Sequence, residues 1–475
     1  MSRAVIVGAE GEKLDDADIH RVACGLLRWR HDEDVPPSTP VAFEVDRSAV
    51  GCAMVLAALQ RRVSFLPLHP AWGPDDRRAR IAAAGAVELD RERVRTWLQE
   101  GGTFVEATST DAPASVTLFT SGTTGEPRPV VLSFDAFRAS AEATRSRLGD
   151  RHAPAITTLP LAHVGGLSVL TRAHHEGTPV VVVPHGDVAS LVDATVRHGV
   201  RRWSIVPATL FDLLTSTTGT GRLRDHGGLD AVVVGGGPVD PDLVREARAR
   251  GIPVRTTYGL TETASQVALQ DAIDAAHDDG NVGRALEGSS IDVVDDDGIE
   301  VRAGTTGRIR VSGPTVACRV GGANTRNGAG VRRIVTQDEG WLDEHGRLHV
   351  VGRRDDVVIV SGYKVHPRNV EVALTGVVPG AHVVAFGIAD ARRGGAVALL
   401  VVGRAVPPDA CERLHHAATT TLPTSARPTR YMLEREWPTW AGPPHKPRRA
   451  ELSLRYSDIG RPQAAPRAQE DSPWT

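Results

Sequence analysis

Three lysines stand in this chain of 475 residues, Lys13, Lys364 and Lys446, although lysine and arginine together number 55. Arginine is written wherever a cation suffices, so a lysine that remains is more informative than in most chains. Lys446 sits in Pro443-Pro444-His445-Lys446-Pro447-Arg448-Arg449, and Lys364 in Ser361-Gly362-Tyr363-Lys364-Val365-His366-Pro367. A second kind of chemistry lies at Val116-Thr117-Leu118-Phe119, an apolar run leading into Thr120-Ser121-Gly122-Thr123-Thr124-Gly125-Glu126-Pro127-Arg128. Glycines let backbone N–H groups approach an anion closely, and the hydroxyls add donors, so the string suits a phosphate. No Gly-Lys-Ser/Thr follows, which excludes the Walker pattern. Taken alone, the string fits a surface turn equally well.

Carboxylates and an aromatic follow. Thr257-Tyr258-Gly259-Leu260-Thr261-Glu262-Thr263 carries one of only four tyrosines beside an acid. A hard cation next to phosphates needs carboxylate oxygen, which suits Glu262. Val232-Val233-Val234-Gly235-Gly236-Gly237-Pro238 is a strand ending in glycines, a pattern with many structural uses. Thr336-Gln337-Asp338 and Gly352-Arg353-Arg354-Asp355-Asp356 add further acids, and Leu159-Pro160-Leu161-Ala162-His163-Val164-Gly165-Gly166 a histidine. Alone, His163 would more often be packed or solvent-facing than functional.

These residues need elements to position them. Val41 to Val45 reads as a strand, Ser48 to Gln60 as a helix and Val63 to Pro67 as the next strand, and the rhythm recurs through Val180–Val183, Leu191–His198, Ser204–Val206 and Ala231–Val234. Such alternation argues for an α/β fold with largely parallel sheets. From Ile291 short strands with acidic or glycine turns predict a hairpin-rich β subdomain. A boundary is expected near Gly352–Asp356. That divides the chain into a large unit over 1–352, a small α+β unit over 353–456, and a polar, Pro-rich tail over 457–475 expected to be disordered.

In order and over most of the chain, these motifs resemble those of the adenylate-forming superfamily, which includes acyl-CoA synthetases, peptide-synthetase adenylation domains and luciferases. The match to Thr-Ser-Gly-Thr-Thr-Gly-x-Pro-Lys-Gly runs through Pro127, with Arg128 for the lysine and Pro129 for the last glycine. The resemblance implies a large N-terminal domain of stacked, mostly parallel sheets with helices plus a β subdomain, and a small mobile α+β C-terminal domain. It implies nucleotide contacts from Thr120, Ser121, Gly122, Thr123, Thr124, Gly125, Arg128, Gly235, Gly236 and Gly237. Tyr258 would stack on adenine beside Gly259, Thr261 would meet the α-phosphate and Glu262 would hold Mg²⁺. Asp338 would bind ribose despite Gln337 in place of the usual glycine, Arg353 would touch the nucleotide and Asp355 would be the hinge. His163, Gly259, Ser265 and Gln266 would border the acyl pocket. Gly362, Tyr363 and Lys364 would face the site for thioester formation. Lys446 would serve adenylation, although His445 replaces the usual glycine.

The implied partners are a small carboxylic acid, ATP with Mg²⁺, and CoA. The run Thr261-Glu262-Thr263-Ala264-Ser265-Gln266, the overall length and Leu-Pro-Leu-x-His-Val-Gly-Gly-Leu resemble the o-succinylbenzoate–CoA ligases of menaquinone biosynthesis. Ser361-Gly362-Tyr363-Lys364 is closer to medium-chain and aryl acyl-CoA synthetases. Another aryl or acyl-CoA synthetase, an acyl-AMP ligase loading a carrier protein, and a non-catalytic adenylate binder remain open.

Composition is consistent with this. A net charge of -3 removes the electrostatic case for nucleic acid, and no apolar run reaches the roughly 18 residues of a membrane span. Four scattered cysteines without a CxxC pair argue against disulfides and a cysteine zinc site, and no secretory signal is visible at the start. A cytoplasmic setting is expected; the oligomeric state is not legible.

Overall fold

The computed structural model describes residues 4–8, 12–99, 114–121, 127–149, 153–183, 187–216, 219–277, 279–326, 330–361, 363–390, 393–441 and 447–457. A seven-stranded sheet orders Ala323–Asn324, Arg319–Val320, Pro127–Ser133, Ser115–Ser121, Phe65–Leu68, Val41–Glu44 and Val87–Glu88. It is parallel from Ser115–Ser121 to Val87–Glu88 and antiparallel toward the other edge. A five-stranded sheet begins with Arg202–Ile205, Ala231–Val234 and Val254–Leu260 in parallel, then adds Ser265–Leu269 and Arg284–Ala285 antiparallel. A third sheet joins Lys13–Asp15, Ala4–Gly8, Val180–Val182 and Ala155–Thr157.

The expected alternation is borne out, with boundaries moved by up to three residues, as where the helix read from Leu191 begins at Val188. Ala49–Gln60 is a helix whose N-cap Ser48 accepts from the Gly51 N–H at 3.2 Å. Nearly every residue of it is buried, so it lies in the core rather than on a surface. All four residues of Ala231–Val234 are buried, as a parallel strand covered on both faces requires. Phe43 and Phe65 stack at 5.3 Å between adjacent strands of the seven-stranded sheet.

The hairpin-rich region is a four-stranded antiparallel sheet of Ser290–Val294, Gly307–Ser312, Arg333–Leu342 and Leu348–Arg353. Beyond it, buried apolar residues pack among themselves. Val358, Val370, Leu374, Leu399 and Leu414 form one cluster, and Phe386, Leu400, Leu452 and Tyr456 another, around the strands His382–Asp390, Gly394–Val402 and Arg430–Glu434. Ser457, read from sequence as the start of the tail, instead closes the helix Arg449–Ser457, whose Leu452 and Tyr456 are buried; the rest of the tail lies outside the described residues.

One helix matters most for the site. Val164–Glu176 follows a tight turn in which the His163 N–H bonds the Pro160 carbonyl at 3.1 Å. Gly166 presses its backbone against that turn: a Cβ there would lie 2.4 Å from the Pro160 carbonyl oxygen and 2.6 Å from that of Leu159. The obstacle is backbone, which cannot swing aside. Gly166→Ala is therefore expected to cost about 1–3 kcal/mol, the range for overpacking, read as a lower midpoint in denaturant titration. An unchanged midpoint would show that the turn yields freely.

Candidate functional site

Parallel strands open their carboxyl ends at one edge of a sheet, which is where open α/β sheets bind ligands. At that edge Ala231–Val234 runs into Gly235–Gly237. The Gly235 N–H bonds the Ile205 carbonyl at 3.2 Å, and a Cβ on Gly235 would lie 2.5 Å from Thr257 Cγ2. Gly236 has φ +78°, a conformation that favours glycine. Bare backbone is the result, open to close approach by a flat ligand.

The neighbouring strand, Val254–Leu260, ends in a tighter device. Thr261–Thr263 is a 3₁₀ turn that reverses the chain into Ser265–Leu269, with Gly259 opposite Gln266 and Leu260 opposite Ser265. A Cβ on Gly259 would come within 2.0 Å of the Ser265 carbonyl oxygen, so no side chain fits. Ala264 and Ser265 take φ of +51° and +94°, successive left-handed residues that are not glycine. Such backbone costs on the order of 1–3 kcal/mol per residue and persists only where its surroundings over-determine it. Here Thr263 Oγ1 accepts from the Leu260 N–H at 3.0 Å and lies 2.9 Å from the Ser265 carbonyl. The Ala317 N–H bonds the Glu262 carbonyl at 2.8 Å. Thr261 and Glu262, both part-exposed, ride on this turn.

Tyr258 donates its hydroxyl to Asp338 Oδ2 at 2.7 Å. Burial, then the Asp338 charge, push the phenol well above its ordinary value, so it stays a donor. The Asp338 N–H bonds Thr336 Oγ1 at 3.1 Å, and Asp338 pairs across the sheet with Arg353. Gln337, a departure from the family pattern, is exposed, so its side chain crowds nothing. Arg353 forks onto both oxygens of Asp355 at 2.8 and 2.7 Å, and those bonds raise its already high pKa. Four residues singled out from sequence thus form one connected run: Tyr258, Asp338, Arg353 and Asp355.

Thr120 pairs with exposed Arg128, and Ser121 with Pro127, so two antiparallel strands converge on the glycine string. Pro129 stands in the returning strand opposite Phe119, and its carbonyl accepts from the Gly321 N–H at 2.8 Å. Gly122, Thr123, Thr124, Gly125, Gly362, His445 and Lys446 lie outside the described residues. Tyr363 and Lys364 are exposed on a hairpin in which Tyr363 pairs with Val360 and Lys364 with Ile359. His163 is exposed at the head of its helix, its ring 5.4 Å from that of His69. Burial, then Arg47, lower the pKa of His69, whose Nδ1 accepts from the Ala71 N–H at 3.0 Å.

Sequence reasoning missed Arg172. Two turns beyond His163 on the same helix, it donates to Gln266 Oε1 at 2.9 Å, Ser168 Oγ at 3.3 Å and Ser204 Oγ at 3.0 Å. Ser265 Oγ also reaches Gln266 Oε1 at 3.2 Å. Its three hydrogen-bond acceptors are neutral, and desolvation, only partly offset by the charge of Glu176, brings the guanidinium down to about 10, still charged at neutral pH. Gln266 is buried and its Nε2 has no hydrogen-bond partner. A buried donor left unmade costs about 1–3 kcal/mol, which a further acceptor at this wall would recover. No sequence signal separates Arg172 from the chain's many other arginines except its place on the face of Ser168.

Two other features stand apart. Asp279, Asp343 and His349 place ligand atoms within 4.8 Å of one another, but Arg347 already supplies the cation, with Nε 2.5 Å from Asp343 Oδ2 and Nη2 3.5 Å from Asp279 Oδ2. A cleft of about 610 Å³ bounded by Glu142, Arg145, Glu287 and Pro314 contains none of the motif residues.

A glycine cradle, a tyrosine tied to an acid and a strained acidic turn meet at the ends of parallel strands, and the comparisons agree. Residues 88–318 match the family of AMP-binding enzymes. That span holds the Thr120–Gly125 string, His163, Gly235–Gly237 and Thr257–Thr263, so the resemblance seen in sequence is borne out. A 2-succinylbenzoate–CoA ligase of Bacillus cereus (strain Q1) is 34% identical over 295 residues, 61% of this chain and 60% of the relative. The corresponding enzyme of Bacillus mycoides (strain KBAB4) is 34% identical over 267 residues, 55% of this chain and 54% of the relative. The chain thus matches somewhat more than half the length of these curated relatives.

Among solved structures, o-succinylbenzoate coenzyme A synthetase from Bacillus subtilis in complex with ATP and magnesium ion superposes with a TM-score of 0.81 at 24% identity, covering 95% of this chain and 96% of that one. An amide bond synthetase from Marinactinospora thermotolerans gives 0.80 at 24% identity, covering 96% and 97%. The fold of these solved structures therefore extends over nearly the whole chain. Among the described residues no helix is long and apolar enough to cross a membrane.

The Tyr258–Asp338 bond ties the two sides of this candidate site together. Tyr258→Phe is expected to weaken AMP binding about three- to tenfold in calorimetry, the scale of one hydrogen bond. An unchanged Kd would mean that Asp338 needs no help from the phenol.

Proposed function

We propose that the chain is an AMP-forming acid–CoA ligase and that its acid is o-succinylbenzoate. In the first step a carboxylate oxygen attacks the α-phosphorus of ATP, and the bond to the departing diphosphate breaks. In the second the sulfur of CoA attacks the acyl carbon, and the bond to AMP breaks. The observation that carries the choice of acid is the Arg172 wall: a guanidinium surrounded by neutral acceptors, behind Gly259 and Gln266, suits an acid with a second carboxylate. The names of the curated relatives support the same reading.

The geometry of the described residues and the sequence motifs support the following roles. Gly235–Gly237 and Tyr258 offer a flat slot for the base, and Asp338 an acceptor for ribose hydroxyls. The carboxylate of Glu262 fits Mg²⁺ chemically, being a part-exposed oxygen donor on a rigid turn. When bound, the ion would offset phosphate charge. Thr261, Arg353 and the Thr120–Gly125 string, with Arg128, surround the phosphates in this reading, and Lys446 stabilises charge that develops in the first step. Residues 1–352 form one domain and 353–456 a second that turns about Asp355 to present Gly362, Tyr363 and Lys364 for the thiol step. A cytoplasmic setting fits substrates of this kind.

Diphosphate release measured across a panel of acids, with and without CoA, tests the proposal. o-Succinylbenzoate should give a higher kcat/KM than benzoate or octanoate, because a site built for a polar group leaves its donors unpaired with the wrong acid. Octanoate in first place would overturn the choice of acid, and diphosphate release without a CoA ester would overturn the choice of thiol. Arg172→Lys loses the planar fork; it should raise KM for o-succinylbenzoate at least tenfold and leave that for benzoate within twofold. Glu262→Gln should lower turnover more than ATP affinity, and normal turnover at saturating Mg²⁺ would remove Glu262 from the metal.

A further inference from the structure

Three residues after Lys446, Arg449 opens the last helix and is almost wholly enclosed. Its Nε donates to the Ala385 carbonyl at 3.0 Å, Nη1 to Asp356 Oδ2 at 2.9 Å, and Nη2 to Glu371 Oε1 at 2.6 Å. Its side chain is 13% exposed and that of Glu371 7%. Glu371 Oε1 in turn accepts from the Ala385 N–H at 3.0 Å, so acid, base and strand interlock. One guanidinium therefore fastens three pieces of chain: the 3₁₀ turn Arg354–Asp356, the helix Pro367–Leu374 and the strand His382–Asp390.

The chain on either side of Lys446 is pinned as well. The Arg448 N–H bonds the Ala441 carbonyl at 2.8 Å, so the backbone that leaves Ala441 is back beside it at Arg448. Arg455 lies 4.5 Å over the Trp440 ring, and Trp440 packs against Tyr456 at 5.9 Å, holding the departing end to the same helix. Three residues span at most about 11 Å, so the reach of Lys446 is measured from the point where Arg449 is anchored. That anchor is Asp356, the neighbour of Asp355.

We infer that Arg449 is a positioning residue for the adenylation step, registering the segment that bears Lys446 against the turn at Asp355–Asp356. The inference rests on the reading of Lys446 given above. The Arg449 fork is engaged by Ala385, Asp356 and Glu371, and it fixes the base from which the lysine extends. A positioned group misplaced by about 1 Å can cost two orders of magnitude in rate, so a modest loosening at the base is legible in kinetics.

Arg449→Lys keeps the charge and loses the three-way fork, which limits the risk of unfolding. In the full-length enzyme, rapid quench should show acyl-adenylate formation slowed about tenfold or more. Thioester formation from supplied acyl-adenylate should stay within twofold, with the melting temperature recorded beside both. Lys446→Ala should itself slow adenylation by roughly 10²–10³, the scale of one preorganised donor. On that background Arg449→Lys should add little, since a residue acting through the lysine has nothing left to position. Asp356→Asn, which weakens the same anchor from the other side, should reproduce the split between half-reactions. Equal loss in both half-reactions, or an additive loss on a slow Lys446→Ala background, overturns the inference alone. Normal adenylation by Lys446→Ala overturns the reading of Lys446 and the inference with it.

Discussion

The closest approach in the site is between backbone and backbone, where Gly259 meets the Ser265 carbonyl with no room for a side chain. Much else depends on it. Because the strands touch there, Thr261–Thr263 must reverse the chain in three residues, and Ala264 and Ser265 are driven into the left-handed region. That reversal puts Glu262 on the part-exposed rim and turns Gln266 inward, toward Arg172. One steric limit thus separates acidic Glu262 on the rim from Gln266, four residues on, which faces the basic Arg172. Hydrogen bonds from Thr263 and Ala317 hold the turn against strain of a few kcal/mol, more than any one of them would stabilise alone.

A second constraint runs between the sheets. The Tyr258 hydroxyl reaches Asp338, and Asp338 stands opposite Arg353, so the five-stranded sheet and the antiparallel sheet share a polar seam. That seam leads through the Arg353–Asp355 fork into the turn that Arg449 anchors. Among the described residues, the apolar clusters that begin at Val358 contain no residue from before it. Polar contacts across the boundary and separate cores on its two sides are what the proposed rotation about Asp355 would require.

Much of this was legible in the sequence for physical reasons. Buried parallel strands are written as unbroken β-branched runs, so Val180–Val182 and Ala231–Val234 stood out. Tight approaches are written as glycine, and Gly235, Gly236 and Gly259 each prove to be needed. Arg172 was illegible because its meaning lies in what surrounds it: Ser168 shares its helix, but Ser204 and Gln266 arrive from other strands. Arg449 was named only as part of the stretch around Lys446 and given no role, because its acids, Asp356 and Glu371, lie far away in sequence. Gln337 shows the converse. It departs from the family pattern in sequence, yet its side chain points into solvent and displaces nothing.

The neutral hydrogen-bond partners of Arg172 bear on the protein's thermodynamics before any chemistry takes place. Glu176 attracts the guanidinium and Arg202 repels it, but desolvation outweighs both, so the folded chain carries part of the cost of this buried charge. An acid that brings a negative charge to it relieves that cost in the folded state and has no such partner in the unfolded one. Ligand preference and resistance to unfolding are therefore coupled through one side chain. On the proposed function, the acid that fits this wall best is also the one that raises the melting temperature most, and the ligand-free protein is the form most open to proteolysis.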